Sequence, residues 1–62
     1  MNVKDLKDEY VGRYIKVTDP LYTYIGILVR DGNADNSDYA FVSVSDYWVR
    51  GFFDSDVIEF VE

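Results

Sequence analysis

The chain reads as an all-β domain, and three observations in its sequence point that way. Two apolar runs rich in Val, Ile, Tyr and Phe, Ile25–Arg30 and Tyr39–Val44, flank a cluster of turn formers from Asp31 to Asp38. Such residues fit a pleated, half-buried surface, while Asp, Gly, Asn and Ser supply turn conformations, so the stretch predicts a long β-hairpin. Shorter apolar segments on either side are separated by Gly12, by Asp19-Pro20 and by Asp54-Ser55-Asp56. Strands this short, joined by tight turns, favour a closed five-stranded barrel, because closure removes exposed edges.

One domain spans residues 1–62, with a helical segment at 2–10 and the barrel at 12–61. Val3, Leu6 and Tyr10 recur at i, i+3 and i+7, which places them on one face of a short N-terminal helix. Asn2 supplies a cap and Asp5 a capping-box partner. After Gly12, the segment Arg13–Thr18 alternates as a strand with Ile15 and Val17 inward. Asp19-Pro20 ends it, since proline has no N–H to donate. Ile25, Ile27 and Val29 are expected to face the core from the second strand, and Ala40, Val42 and Val44 from the third. Gly26 inside that pattern implies a bulge or a close backbone approach. In Tyr47–Phe53 the expected inward pair is Val49 and Phe53, which leaves Trp48, Arg50 and Phe52 on the outward face. Asp54-Ser55-Asp56 forms one tight turn, and Val57–Val61 closes the sheet with Ile58 and Phe60 inward.

Composition narrows the function classes. The chain has 62 residues, no cysteine and no histidine, so disulfides, thiolate metal sites and the commonest general base are missing. A chain this small hides only about 60% of the surface its unfolded form exposes, so the apolar core carries the fold alone. The N-terminal stretch MNVKDLKDEY has no apolar leader, and no run reaches the roughly 18 apolar residues of a membrane span, which predicts a soluble cytoplasmic protein without membrane contact. Twelve acidic against six basic residues give a net charge of −6, which argues against a phosphate backbone as partner.

The run Val11-Gly12-Arg13-Tyr14-Ile15-Lys16-Val17, then Pro20-Leu21 and Gly26-Ile27-Leu28-Val29, resembles the KOW-type arrangement of SH3-like barrels. The ending Gly51-Phe52-Phe53-Asp54-Ser55-Asp56-Val57-Ile58-Glu59 is similar to the closing signature of SH3 domains, and Leu21-Tyr22-Thr23-Tyr24 echoes their alanine-leucine-tyrosine motif. The resemblance implies an SH3-like small barrel of KOW type, or a bacterial or phage SH3-like domain, with a binding role. Val57 and Asp54 stand where SH3 domains carry the tyrosine and proline that grip polyproline peptides, so that ligand class is not carried over. KOW-type barrels serve transcription and translation machinery, which implies an adaptor touching RNA or a ribonucleoprotein as the alternative.

Aromatic content is the sharpest compositional signal, with six Tyr, four Phe and one Trp. Tyr22, Tyr24, Tyr47, Trp48 and Phe52, with Arg50 on the Trp48 face, are the candidate protein-binding residues, because Trp, Tyr and Arg dominate interface hot spots. The expected function is a small, acidic, non-enzymatic module that docks an unidentified protein, or a second copy as a homodimer, through this face. Compact acidic proteins of this kind resemble those encoded by phages or mobile elements that bind one host protein. Bases could stack on the rings, with Arg13, Lys16, Arg30 and Arg50 on phosphates, but nine acidic residues from Asp19 onward oppose that. Asp31, Asn33 and Asp35 reproduce the first spacing of a calcium loop, yet Asn36 replaces its glycine and Val42 its final glutamate, so a solvated turn and no metal is expected. No cofactor site is visible, and carboxylate pairs such as Asp54 and Asp56 do not make an enzyme without a pocket.

Overall fold

Five antiparallel strands make one continuous sheet in the computed structural model, which describes residues 1–32 and 38–61. They are β1 (Tyr14–Thr18), β2 (Thr23–Arg30), β3 (Tyr39–Ser43), β4 (Val49–Gly51) and β5 (Val57–Phe60). Their spatial order is β4-β3-β2-β1-β5, so the first four strands form a meander and β5 returns beside β1. The all-β expectation holds. Among the described residues no ladder joins β4 to β5, so the sheet is open rather than a closed barrel. The β2–β3 connection at 33–37, with its calcium-like spacing, lies outside the described residues. No described helix is long and apolar enough to cross a membrane.

The N-terminal segment corrects the helix expectation. Two 3₁₀ turns, Val3–Asp5 and Asp8–Tyr10, replace it, with Leu6 and Lys7 in extended conformation between them. Asn2 and Asp5 do form the reciprocal capping box, satisfying the first free N–H groups. A three-residue turn answers the same i, i+3 apolar spacing as an α-helix, so Val3 and Leu6 are buried and Tyr10 packs edge-on to Phe60.

The core lies on one face of the sheet: Ile15, Val17, Leu28, Phe41, Phe52 and Ile58 are all but fully buried. Each such side chain contributes roughly 1.5–3 kcal/mol when removed from water. Ile15, Val17 and Ile58 sit where alternation places them, and Phe60 packs on the cluster. In the hairpin, however, the faces are exchanged. Leu28 pairs with Phe41, and that pair, not the aliphatic set, points into the core. Ile25 and Val44 are exposed, Ile27, Val29 and Val42 are half-buried, and only Ala40 of that set is covered, between its register partners Val29 and Gly51.

Gly26 explains the exchange. It faces inward, paired with Ile15 on one side and Ser43 on the other. A Cβ built there would lie 2.7 Å from a ring carbon of Phe41 and 2.6 Å from the Val42 carbonyl oxygen. The missing side chain is the space that the Phe41 ring fills. The same inversion holds in β4, where Phe41 opposes Arg50. Phe52 is therefore buried, while Val49 and Phe53, the expected inward pair, are exposed.

Gly26→Ala is expected to lower stability by about 2 kcal/mol, in the range of overpacked cores. Urea unfolding checks it: the midpoint falls while the slope stays that of the wild type.

Candidate functional site

The six aromatic-face candidates divide between the two sides of the sheet. Trp48, Arg50 and Phe52 do share one face, as their spacing requires, but it is the inner one. Phe52 is sealed against Phe41, 5.4 Å between ring centroids. Trp48 is half-buried, edge-on to Tyr24 at 5.3 Å and to Phe41 at 5.6 Å. Tyr22 continues the series at 6.1 Å from Tyr24 and is largely exposed. Five of the six candidates thus form one connected cluster at the end of the sheet, most of whose ring area is spent on packing.

Arg50 organises the polar side of that cluster. Its guanidinium donates to both carboxylate oxygens of Asp56, at 3.1 and 3.2 Å. Asp56 is buried and also accepts the Phe53 N–H at 2.8 Å. Asp19 approaches the same guanidinium at 3.6 Å, and the cation lies 4.8 Å from the Phe53 ring centroid and 5.5 Å from those of Tyr24 and Phe41. Asp19 is set by its own loop: one carboxylate oxygen accepts the N–H groups of Leu21 and Tyr22, in the turn that Pro20 starts. Those two backbone donors, more than Arg50, hold its carboxyl below the ordinary carboxylate range. Burial and then the Asp19 charge push the Tyr24 phenol up. The pairing of Asp19 and Asp56 with Arg50 is not legible in the sequence, because the three sit in separate elements: the β1–β2 loop, the turn before β5 and β4. The group fastens β4 to the β1–β2 loop and to the turn before β5, and it offers no open ligand position.

Other cations of the sheet are engaged as well. Lys16 pairs with Glu59 at 3.5 Å, and Arg13 lies over the Phe60 ring at 3.7 Å. Arg30 donates to Asp8 at 2.8 Å, beside the Tyr39 hydroxyl, which donates to the same carboxylate at 2.6 Å. The Tyr39 hydrogen bond, then the Arg30 charge, holds Asp8 below its ordinary range and fixes the second 3₁₀ turn to the β2–β3 hairpin. Among the described residues no three acidic or other metal-binding side chains gather into a metal site.

Tyr47, the sixth candidate, belongs to the opposite side. The β3–β4 turn is closed by Tyr47 N–H to Ser43 C=O and by Ser43 N–H to Trp48 C=O. Within it Tyr47 adopts φ 58°, the left-handed region that a bulky side chain occupies only at a cost. This conformation sends Trp48 inward and leaves Tyr47 78% exposed beside an apolar groove of about 370 Å³. Tyr14, Ile25, Ile27, Val42 and Val44 line the groove with it. The register explains their alignment, since Tyr14 pairs with Ile27, Ile27 with Val42 and Val42 with Val49. Val61 N–H donates to Tyr14 C=O, which brings Val61 to the end of the same row. An apolar row therefore crosses the outer face of β1 to β4 and reaches Val61, the residue that follows β5. Lys16 and Glu59, register partners on the same face, pair with each other. Sequence reasoning had assigned these aliphatic residues to the core. The signal it missed is that β2 is apolar on both faces, while one small sheet buries only one of them.

Asp56→Ala is expected to cost about 3–5 kcal/mol, because it strands the Arg50 charge and the Phe53 N–H in a largely covered site; chemical denaturation measures it. Asp8 and Asp19 have depressed folded-state values, so their contribution is present above the unfolded carboxylate range and is lost as pH falls through the folded values. The melting temperature should decline on the acid side, and Asp19→Asn should flatten that limb while changing the neutral-pH dependence little.

The chain matches no family model, no curated protein and no solved structure, so the site is read from its own geometry.

Proposed function

We propose that this chain is a small non-enzymatic protein-docking module, and that its contact surface is the outer apolar face of the sheet. The observation that carries this reading is Tyr47. An exposed aromatic ring is held in a left-handed backbone conformation, at the lip of an apolar groove, in a turn where Asn or Gly would close the hairpin without strain. Folding gains little from that ring, whereas an interface gains a large, rigid, amphipathic anchor with two rotatable bonds. The row Val61–Tyr14–Ile27–Val42–Val49 supplies the surface around it. Isolated apolar residues on a surface are ordinary, but a continuous apolar face marks an interaction site.

This reading moves the expected binding surface from the Trp48 and Phe52 face to the opposite side and keeps one of the original candidates. The finer fold reading, an SH3-like barrel, draws support from the strand order and from two further features. β2 is long enough to pair with β1 through one part and β3 through another, and a single turn at Asp54-Ser55 precedes β5. The adaptor reading, with RNA as ligand, has no comparable support, because Lys16, Arg30 and Arg50 each face carboxylates.

Tyr47→Asn is expected to raise stability by about 0.5–1 kcal/mol by relieving the left-handed strain, while weakening partner binding. The pairing of these effects separates a functional ring from a structural one. Thermal unfolding reads the first; the second is read by affinity capture from host lysate with wild type, Tyr47→Asn and Ile27→Lys. A partner retained equally by all three would overturn the assignment of this face.

A further inference from the structure

We infer that the outer face is self-complementary and that its occupant is a second copy of this chain; the inference rests on the docking-face reading above. Three observations carry it. The first is charge. The chain bears −6, yet the row from Val61 to Val49 contains no charged side chain, and the adjacent Lys16 and Glu59 form their own pair. A basic partner would find no carboxylate in the row to read. A second uncharged face is matched to it, and it leaves the acidic residues of both copies at the solvated rim.

The second observation is shape. Ile27 stands at the centre of the row, with Tyr14 and Val61 on one side and Val42 and Val49 on the other. A two-fold axis lying in the interface plane, parallel to the sheet and passing over Ile27, lays the face on its own copy, with sheets about 10 Å apart as in a sandwich. The exposed Tyr47 ring and the groove beside it then act as knob and hole, each ring entering the groove of the other copy, the reciprocal contact an isologous interface requires.

The third observation is area. A large aromatic side chain presents roughly 150–250 Å² when fully bared. Tyr47 at 78% and Tyr14 at 51%, with Ile25, Val44, Val49 and Val61 also exposed, leave on the order of 600 Å² of apolar surface per copy. A standard interface buries about 800 Å² per partner, so this face fits a reversible dimer of moderate strength rather than an obligate one.

Salt separates this occupant from any basic protein. Two copies of like charge repel through their rims, and screening removes that repulsion, so added salt should strengthen the dimer; it would weaken binding to a basic partner. The experiment is sedimentation velocity of the purified chain across the micromolar range, at low and high salt. Its samples are wild type, Tyr47→Asn, Val49→Lys and a control, Leu21→Lys, placed in the exposed β1–β2 loop away from the row; circular dichroism verifies that each is folded. The expected result is a mass that doubles with concentration and at lower concentration in high salt. This doubling should be lost in Tyr47→Asn and Val49→Lys and kept in Leu21→Lys. A wild type that stays monomeric throughout, or a dimer indifferent to both face variants, overturns the second-copy assignment. Loss of a lysate partner in Ile27→Lys from a protein that sediments as a monomer would sink the homodimer alone. Indifference of both self-association and lysate capture to the face variants would sink the docking face too.

Discussion

The packing of Phe41 against the bare α-carbon of Gly26 decides which side of this sheet becomes the core. Strand β2 carries aliphatic side chains on both faces, so hydrophobicity alone leaves two ways to orient it. The gap at Gly26 admits one ring and no more, with the Val42 carbonyl closing it from the other side. Once Phe41 is seated there, the register turns Leu28 inward beside it and carries Arg50, Trp48 and Phe52 to the same side. Ile25, Ile27, Val42 and Val44 then have nowhere to go but outward. The core and the candidate docking face are two results of one steric fact.

Turning Arg50 inward creates a second requirement, because a guanidinium beside Phe41 must be neutralised. Asp56, from the turn before β5, answers it with two hydrogen bonds, and Asp19, from the β1–β2 loop, adds a second carboxylate. The cluster does between β4 and β5 what a strand ladder does elsewhere: it ties the two ends of an open sheet around the core. The β1–β2 loop contributes because Asp19 is already fixed by the N–H groups of Leu21 and Tyr22. Local turn chemistry and long-range closure thus meet at one side chain.

What was legible in the sequence follows from how far each determinant acts. The all-β class, the inward Ile15, Val17 and Ile58, the Asn2–Asp5 cap and the turn at Asp54-Ser55 depend on neighbours within a few positions. The apolar spacing of Val3, Leu6 and Tyr10 identified the residues that pack, but spacing records contacts and not backbone, so two 3₁₀ turns satisfied it as well as a helix would. The grouping of Trp48 with Arg50 and Phe52 was readable from period two. Its side was not, because Val49 and Phe53 make an equally apolar alternative and the partner that makes Arg50 burial tolerable follows a separate turn. Tyr47 stood out as an aromatic, but its departure from Trp48 depends on a left-handed backbone that composition does not announce.

The residue at the start of the chain bears on the two margins of the sheet. Met1 both donates to and accepts from Ile58 across the outer side of β5, at 2.8 and 2.7 Å, while among the described residues the outer side of β4 carries no such ladder. Among the described residues one margin is therefore occupied and the other is not. Strand-to-strand stacking of β4 from one molecule onto β5 of the next, the head-to-tail geometry that propagates into fibres, would first have to displace Met1. Pairing of β4 with β4 would meet no such obstacle, and that arrangement closes after two molecules.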